Sequence, residues 1–560
     1  MASFSTGASY ARHARPEDVG AIWRIIDGYA QQGILLPRSH EEIADKIGSF
    51  HVVVRDGDLV GLAALRDFGA GIGELRSLSV DPDWHGYGFG ELLIRAVVAR
   101  ARAIGIGELY VITASPGYFG RFGWAELPMD EVPAMLDADR APERPRHLWN
   151  TAMVLRLADV PRRVDAPALE ARVHLQVYAR QPLTLVAGDG CWVTDDTGRR
   201  YLDMVAGIAV NVLGHASPVV ADAVARQARR LVQVSNLYYT LPQLELADAL
   251  VRRSPFDRAF FVNSGTEANE AALKLARRRG HPRGAIEIVA AEGSFHGRTM
   301  GALAATGQPK YREPFEPLPA GFRHVPFNDV DALRAAVDER TAAVLLEPIQ
   351  GESGIHPATD AFLTAAREAC DAVGALLIFD EVQSGVGRTG TFFAFEQTPV
   401  VPDVVTLAKG LGGGVPIGAV LATESAAAFE RGDHGTTLGG NPLACAAAIA
   451  TLGALDEDRL LANARERGEE LAMGLAAFVD AGLATEVRGS GLMLAMETAG
   501  PWAREAMAAA RDHHGLLVNA TGPTTLRFVP PLTIDRGEVR QALGRLEPAL
   551  REAAAQGTAA

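Results

Sequence analysis

Short apolar runs recur through the second part of the chain: AFFV (259–262), AIEIVAA (285–291), AAVLLEP (342–348), ALLIFDE (375–381) and VVTLA (404–408). None alternates between apolar and polar residues, so each strand must be covered on both faces. Ala-rich stretches of helix-forming composition lie between them. From about residue 171 to residue 555 this order predicts an α/β unit, a sheet enclosed by helices.

The first part is patterned differently. Val19, Ile22, Ile26 and Tyr29 recur at helical spacing after Pro16. Residues 50–55 (FHVVVR) and 59–66 (LVGLAALR) flank Asp56-Gly57-Asp58, a strand–turn–strand signal. ELRSLSV (74–80) predicts another strand, and a Gly-rich turn leads into a helix from about Gly90 to Ile104. ELYVIT (108–113) and TAMVLRL (151–157) complete an α+β unit over residues 8–157. Between Met129 and about Pro145 no period holds, and Pro, Asp, Glu and Arg dominate. Residues 158–170 (ADVPRRVDAPALE), rich in charge and proline, are the predicted interdomain linker.

The 560 residues are too many for one ordinary domain. A net charge of −14 argues against a nucleic-acid binder, which needs Lys and Arg in excess to meet phosphates. Cys191, Cys370 and Cys445 form no C-x-x-C pair, so neither a disulfide framework nor a structural zinc site is expected. The opening MASFSTGASYARHARPED has no apolar core of the kind a signal peptide needs, and no apolar run is long enough to span a bilayer. A cytoplasmic protein without a membrane partner is the expectation.

Three segments of the larger unit carry chemistry. In NSGTEANEAALKLARR (263–278), Ser264 and Glu267 fit a capping box, and Ala268, Ala271, Ala272 and Leu275 fall on one helix face. A helix opening at Ser264-Gly265-Thr266 offers free amides and a positive dipole end to a phosphate, and Gly265 permits close approach. An ordinary capped helix fits that segment equally well. In ALLIFDEVQSGVGRTG (375–390), Asp380 ends a buried strand, where α/β sheets bind ligands. A carboxylate there needs a partner, and a pyridinium nitrogen suits it. A helix-capping aspartate is the competing reading. In VVTLAKGLGGGVPIGAV (404–420), Lys409 follows another apolar strand amid glycines. If it reaches inward it loses solvation and becomes nucleophilic; otherwise it is a loop lysine facing water. A phosphate cradle, a strand-end acid and a Gly-flanked lysine stand in the order that a pyridoxal-phosphate (PLP) enzyme requires.

The stretch from 171 to 555 resembles a class III, fold-type I aminotransferase, and within that class the acetylornithine aminotransferases. VSNLYYTLPQLELADAL, FVNSGTEANEAALKLAR, FHGRT, EPIQGE, FDEVQSGVGRTG, LAKGLGGGVPIGA, GTTLGGNPL and LRFVPPL carry the resemblance, with YLDMVAGIAVNVLGHASP at the opening. It implies a large mixed-sheet α/β domain over about 220–450, with a smaller α+β domain from 171–219 and 451–555. It implies that Lys409 holds PLP covalently and shuttles a proton, that Asp380 pairs with the ring nitrogen and that Gln383 meets the ring hydroxyl. Gly265 and Thr266, with Ser264 beside them, would grip the phosphate, and Phe295 would stack on the ring. Thr437 would reach the cofactor of a neighbouring subunit, which implies a homodimer through this unit. Arg527 would fork to a substrate carboxylate, Arg298 and Thr436 would hold the acetylated amino acid, and Glu352 would switch Arg527 between two substrates.

In the first unit, ELRSLSVDPDWHGYGFGELLIRAVVARARAIG (74–105) runs strand, Gly-rich turn, helix, with Gly86, Gly88 and Gly90 in the turn. Consecutive amides there can bind a pyrophosphate. With GYFGRFGW after it, the segment resembles the GNAT acetyltransferase fold, which uses acetyl-CoA. GILLPRS (33–39) narrows the resemblance to short N-acetylglutamate synthases. That implies acetyl-CoA contacts at Val80, His85, Gly86, Gly88 and Gly90, glutamate held by Arg38 and Arg76, Glu74 as general base and Tyr118 as the acid for the leaving thiolate. His85 departs from the family, which usually carries Arg or Gln there.

Together these expectations describe a bifunctional enzyme of arginine biosynthesis. One unit would acetylate glutamate. The other would exchange the amine of N2-acetylornithine with 2-oxoglutarate, giving N-acetylglutamate 5-semialdehyde and glutamate. The alternative keeps the aminotransferase with another ω-amine (ornithine, succinylornithine, 4-aminobutyrate, an acylated lysine) and makes the GNAT module non-catalytic or specific for another amine.

Overall fold

The structure is a computed structural model that describes residues 9–35, 37–55, 57–137, 151–157, 166–196 and 198–557. The chain forms two compact units. One runs to Val186 and takes in Asp195–Gly198; the other comprises Ala187–Thr194 and Arg199 onward. The first eight residues of the expected linker and the stretch 138–145 lie outside the described residues, as does Asp56 of the expected turn. The rest of the linker segment is not extended: Ala166–Val173 is helical.

The first unit is a seven-stranded sheet. In spatial order its strands are Ser9–His13, Phe50–Arg55, Asp58–Asp67, Ile72–Val80, Glu108–Thr113, Thr151–Arg156 and Ala125–Leu127. Successive side chains of a strand face opposite ways. Val52 and Val54 therefore join Ile22, Ile25 and Ile26 of the helix Val19–Gln31, while Val53 joins Leu93, Ile94 and Val97 of the helix Phe89–Ala103. Neighbouring strands are antiparallel except Ile72–Val80 and Glu108–Thr113. Those two are parallel and pair only from Ile72 opposite Glu108 to Glu74 opposite Tyr110. Past Glu74 they part. The longer strand has a left-handed residue there, Ser77 (φ 53°), which bends it in the manner of a bulge.

The second unit is built on another seven-stranded sheet. Its order is Arg258–Val262, Gly418–Ala422, Val404–Leu407, Leu376–Asp380, Thr341–Leu346, Glu287–Ala291 and Phe322–Val325. Only Gly418–Ala422 runs against its neighbours. The helix Gly265–Gly280 buries Ala268, Ala272 and Leu275 against Ile288, Leu345 and Ile378. The helix Asp360–Val373 buries Phe362 and Leu363 with Val344, Leu377 and Phe379. This is the cover on both faces that the unbroken apolar runs demand. Phe322–Val325 and Gly418–Ala422 extend the sheet beyond the runs named from sequence.

A smaller antiparallel sheet follows, formed by Ala484–Ser490, Met493–Thr498, Thr525–Phe528 and Asn519–Ala520. The strand Arg200–Asp203 pairs in parallel with Leu516–Leu517, so the opening of this unit joins its close.

Candidate active site

Asp380 is the last residue of the central strand Leu376–Asp380 and is buried. Its Oδ2 accepts hydrogen bonds from Asn269 Nδ2 (2.7 Å) and shares a 2.8 Å contact with His296 Nδ1. Thr406 Oγ1 donates to Asn269 Oδ1 at 2.8 Å, and Asn269 Nδ2 also donates to the His296 carbonyl at 2.7 Å. Asp380 Oδ1 accepts from the amide of Val382, so the carboxylate does cap a local turn, though no helix. Asn269, His296 and Thr406 were not singled out by sequence. Asn269 had one signal, an amide on an otherwise Ala-lined helix face.

Asp380 lies opposite Thr406 in the sheet, so Lys409, three residues on, starts from the same sheet end. Lys409 has a left-handed backbone (φ 42°), uncommon for a residue with a side chain and a frequent mark of functional sites. It makes no hydrogen bond to any described residue. Burial lowers its pKa to about 8, against the upward pull of the Glu352, Asp380 and Glu347 carboxylates and with the help of Arg527. Lys409 is half-buried rather than exposed, and those four charged groups act on its amine, which favours the inward reading over a loop lysine facing water.

Ser264 caps the helix Gly265–Gly280, its hydroxyl accepting from the Glu267 amide. The expected capping box is only half formed. The Glu267 carboxylate reaches past Ser264 to the amide and side chain of Asn263. Gly265 is required by a neighbour within the chain, since a Cβ there would lie 2.7 Å from Val382 Cγ1. A Cβ at Gly297 would run into the Thr266 hydroxyl, which is also 2.8 Å from Thr299 Oγ1. The FHGRT turn thus folds over the helix N-terminus.

Arg527, fully buried on the strand Thr525–Phe528, completes the other side. Its Nη1 is 2.7 Å from Glu352 Oε2 and donates to the Gly351 carbonyl (3.1 Å) and to Gln383 Oε1 (3.4 Å). Its Nη2 donates to Asn519 Oδ1 at 2.6 Å. Burial works to raise the Glu352 pKa, but the charge and hydrogen bond of Arg527 outweigh it and hold the carboxyl below its usual value. Buried Glu347, also missed from sequence, accepts from the amides of Phe295 and Gly351. Burial raises its pKa to about 7; His296 pulls it down and Asp380 adds to the rise. Phe295 meets Tyr311 edge-on, and the Arg298 guanidinium lies 4.0 Å from the Tyr311 ring centroid. Thr436 Oγ1 accepts from Asn263 Nδ2 at 3.3 Å, and the Thr437 carbonyl accepts from Gln233 with its side chain exposed.

This set fits pyridoxal phosphate. The lysine amine makes no hydrogen bond to a described residue and feels the charge of the fixed strand-end carboxylate, and the helix N-terminus is pinched by glycines. His296 Nε2 and Arg527 Nε are buried there without a partner among the described residues.

In the first unit, Glu74 and Arg76 are locked to each other at 2.6 Å (Oε2 to Nε). Arg38 lies 6.0 Å from the Phe50 ring centroid. Gly86 and Gly88 are left-handed (φ 85° and 82°), as a turn of consecutive amides requires. Gly90 has another reason to be glycine: a Cβ would strike the Tyr118 hydroxyl, which packs on the helix start. Burial raises the Tyr118 pKa. His85 is exposed, but its ring is tied back to the chain. Its Nε2 is 2.9 Å from the Val80 carbonyl and 2.8 Å from the Tyr29 hydroxyl, which donates to that same carbonyl.

Residues 176–550 match the family model described as aminotransferase class-III, and residues 20–124 match that of the acetyltransferase (GNAT) family. The acetylornithine aminotransferase of Gloeobacter violaceus is 52% identical over 378 residues, which cover 67% of this chain and 94% of that protein. Among solved structures, the N-acetylornithine aminotransferase of Stenotrophomonas maltophilia superposes with a TM-score of 0.60 at 40% identity over 70% of this chain and 99% of that one. The ornithine aminotransferase of Toxoplasma gondii superposes with a TM-score of 0.67 at 32% identity over 70% of this chain and 96% of that one.

Proposed function

Because the chain belongs to the class-III aminotransferases and carries a GNAT acetyltransferase domain ahead of that segment, we propose that it performs two acyl- and amino-group transfers on related substrates. The larger unit exchanges the δ-amine of N2-acetylornithine with 2-oxoglutarate, yielding N-acetylglutamate 5-semialdehyde and glutamate. The N-terminal unit acetylates glutamate from acetyl-CoA. Identity to named acetylornithine aminotransferases across almost their whole length supports the first assignment.

Pyridoxal phosphate, when bound, supplies an electron sink for charge at the amine-bearing carbon. Lys409 Nζ, desolvated and with its pKa lowered to about 8, holds the cofactor and moves the proton at that carbon. Asp380, fixed by Asn269 and His296, keeps the ring nitrogen protonated.

The observation that carries the reading is the Arg527–Glu352 pair. One substrate reacts at an amine far from its α-carboxylate and the other at a carbon beside one. A single site serves both if the carboxylate-binding cation is masked for the first and released for the second. Arg298, resting on Tyr311, would hold the acetylated end with Thr436. Turnover of N2-acetylornithine and of free ornithine tests the assignment: preference for the acetylated amine is expected, and faster use of ornithine would favour the activity named for the Toxoplasma relative.

For the first unit, the gap that opens past Glu74 and the left-handed glycines ahead of Phe89–Ala103 support acetyl-CoA binding. The Glu74–Arg76 pair must open for the one to act as base and the other, with Arg38, to hold glutamate. Calorimetry with acetyl-CoA and an assay of glutamate acetylation decide. No binding at millimolar acetyl-CoA would leave this unit a non-catalytic module.

The larger unit is proposed to work as a homodimer. Leu237, Tyr238, Tyr239 and Leu241 are 71–90% exposed in one short row, and Asn236 ties that row to the carbonyl of Thr436, beside Thr437. So large an apolar row marks an association face. Cys191, Cys370 and Cys445 are buried and unpaired, and no helix among the described residues is long and apolar enough to cross a membrane.

A further inference from the structure

Away from both sites, His513, His514 and Glu552 converge. His513 Nδ1 meets Glu552 Oε2 and His514 Nε2 meets Glu552 Oε1, each at 2.7 Å. The ligand-type atoms of the three residues all lie within 4.8 Å of one another. Consecutive side chains usually diverge. Here the helix Ala503–Asp512 ends at His513, whose backbone is still right-handed (φ −102°, ψ −34°), and the two imidazoles stand at 80° to each other. One nitrogen of each ring therefore faces the same carboxylate. Glu552 comes from the last helix, Arg536–Gly557, which packs against Ala503–Asp512.

We propose that His513, His514 and Glu552 form a binding site for a divalent late transition-metal ion, with Zn²⁺ as the expected occupant. Two imidazole nitrogens and one carboxylate oxygen suit Zn²⁺ and its neighbours; Mg²⁺ and Ca²⁺ require sets made of oxygens. Bonds of about 2.0–2.2 Å to a tetrahedral ion put ligand atoms about 3.3 Å apart. Each 2.7 Å contact therefore needs to open by about half an ångström. On binding, the ring nitrogen that faces the carboxylate in each histidine gives up its proton, through water, to the other ring nitrogen or to solvent. That frees the lone pair facing the carboxylate, and water fills the remaining position. Nearby guanidiniums are committed elsewhere: Arg545 to the carbonyls of His514 and Gly515, Arg511 to Asp512, Arg551 to Glu547. The ion would staple the last helix to the chain just before Leu516–Leu517, the strand that joins the close of this unit to its opening.

The test uses the full-length, PLP-loaded protein after EDTA treatment, titrated with ZnCl₂ by calorimetry and with CoCl₂ by visible absorption. One ion per chain with a micromolar Kd and a Co²⁺ spectrum of mixed nitrogen and oxygen ligation are expected. Glu552→Gln and, separately, His513→Gln should weaken binding at least tenfold while transamination is unchanged. The Co²⁺ spectrum of the unmutated protein stands even if a variant does not fold. No binding up to 1 mM Zn²⁺, or equal affinity in both folded variants, overturns the site.

Discussion

Arg527 Nη1 stands 2.7 Å from the Glu352 carboxylate, with the arginine fully buried and the glutamate partly exposed. The pair is asymmetric. Arg527 is also held through Gly351, Gln383 and Asn519, whereas Glu352 has this one ion-pair partner among the described residues, so Glu352 is the member free to move.

Glu352→Gln should therefore split the two half-reactions. Unmasked Arg527 would attract the α-carboxylate of either substrate, and N2-acetylornithine would be drawn in backwards. Breaking a partly buried charge pair is worth about 1–3 kcal/mol, or roughly five- to 150-fold. Stopped-flow single turnovers should show that loss in kcat/KM for N2-acetylornithine, with glutamate little affected. Equal losses in both half-reactions would dismiss the switch.

Lys409→Met should abolish transamination and the absorbance of the covalently held cofactor. It also makes a stability prediction for the cofactor-free protein. The folded-state pKa of Lys409 is about 8 against 10.5 for a lysine in water, so below about pH 8 the folded state carries the whole cost of holding a poorly solvated ammonium. Above 10.5 neither state is charged and the cost is gone. Stability contributed at this site therefore rises with pH between those values, by about 3 kcal/mol. The variant should be the more stable at pH 7, with the difference shrinking as pH rises. Parallel pH profiles would refute this.

How far the site was legible in sequence turns on strand ends. Asp380 stood out as an acid closing an unbroken apolar run. Glu347 follows an apolar run in the same way, but its role is set by the amides of Phe295 and Gly351, which only the fold brings to it. His296 and Asn269 hold Asp380 from 84 and 111 residues away in sequence, contacts that only the folded sheet creates. The edge strand Phe322–Val325 was hidden because only Val325 is buried, so no apolar run marks it. The turn of His85 toward Val80 depends on Tyr29, 56 residues earlier, and no local pattern reports it.

The exposed row Leu237–Leu241 carries a prediction about assembly. Tyr238→Glu with Tyr239→Glu should convert a dimer into a monomer in sedimentation velocity. If Thr437 serves the partner's cofactor, activity should fall with it. A dimer unaffected by both charges would place the interface elsewhere.

His51 gives the first unit its own acid limit. It is buried on the strand Phe50–Arg55, with both ring nitrogens lacking a partner among the described residues, and its ring centroid is 4.2 Å from that of His13 across the sheet. Burial lowers its pKa from 6.5 to about 3, with smaller contributions from His13 and Arg100. The folded state thus stays neutral at His51 where the unfolded chain takes up a proton. Stability tied to this residue is whole above pH 6.5 and drains away as pH falls toward 3. By pH 5 the loss is about 2 kcal/mol. His51→Phe keeps a ring of similar shape, removes two stranded nitrogens and cannot be protonated. In urea unfolding of the full chain, the transition of the first unit should lose stability from pH 7 to pH 5 in the parent and lose about 2 kcal/mol less in the variant. An unchanged pH dependence would mean that His51 already finds a proton acceptor in the folded protein.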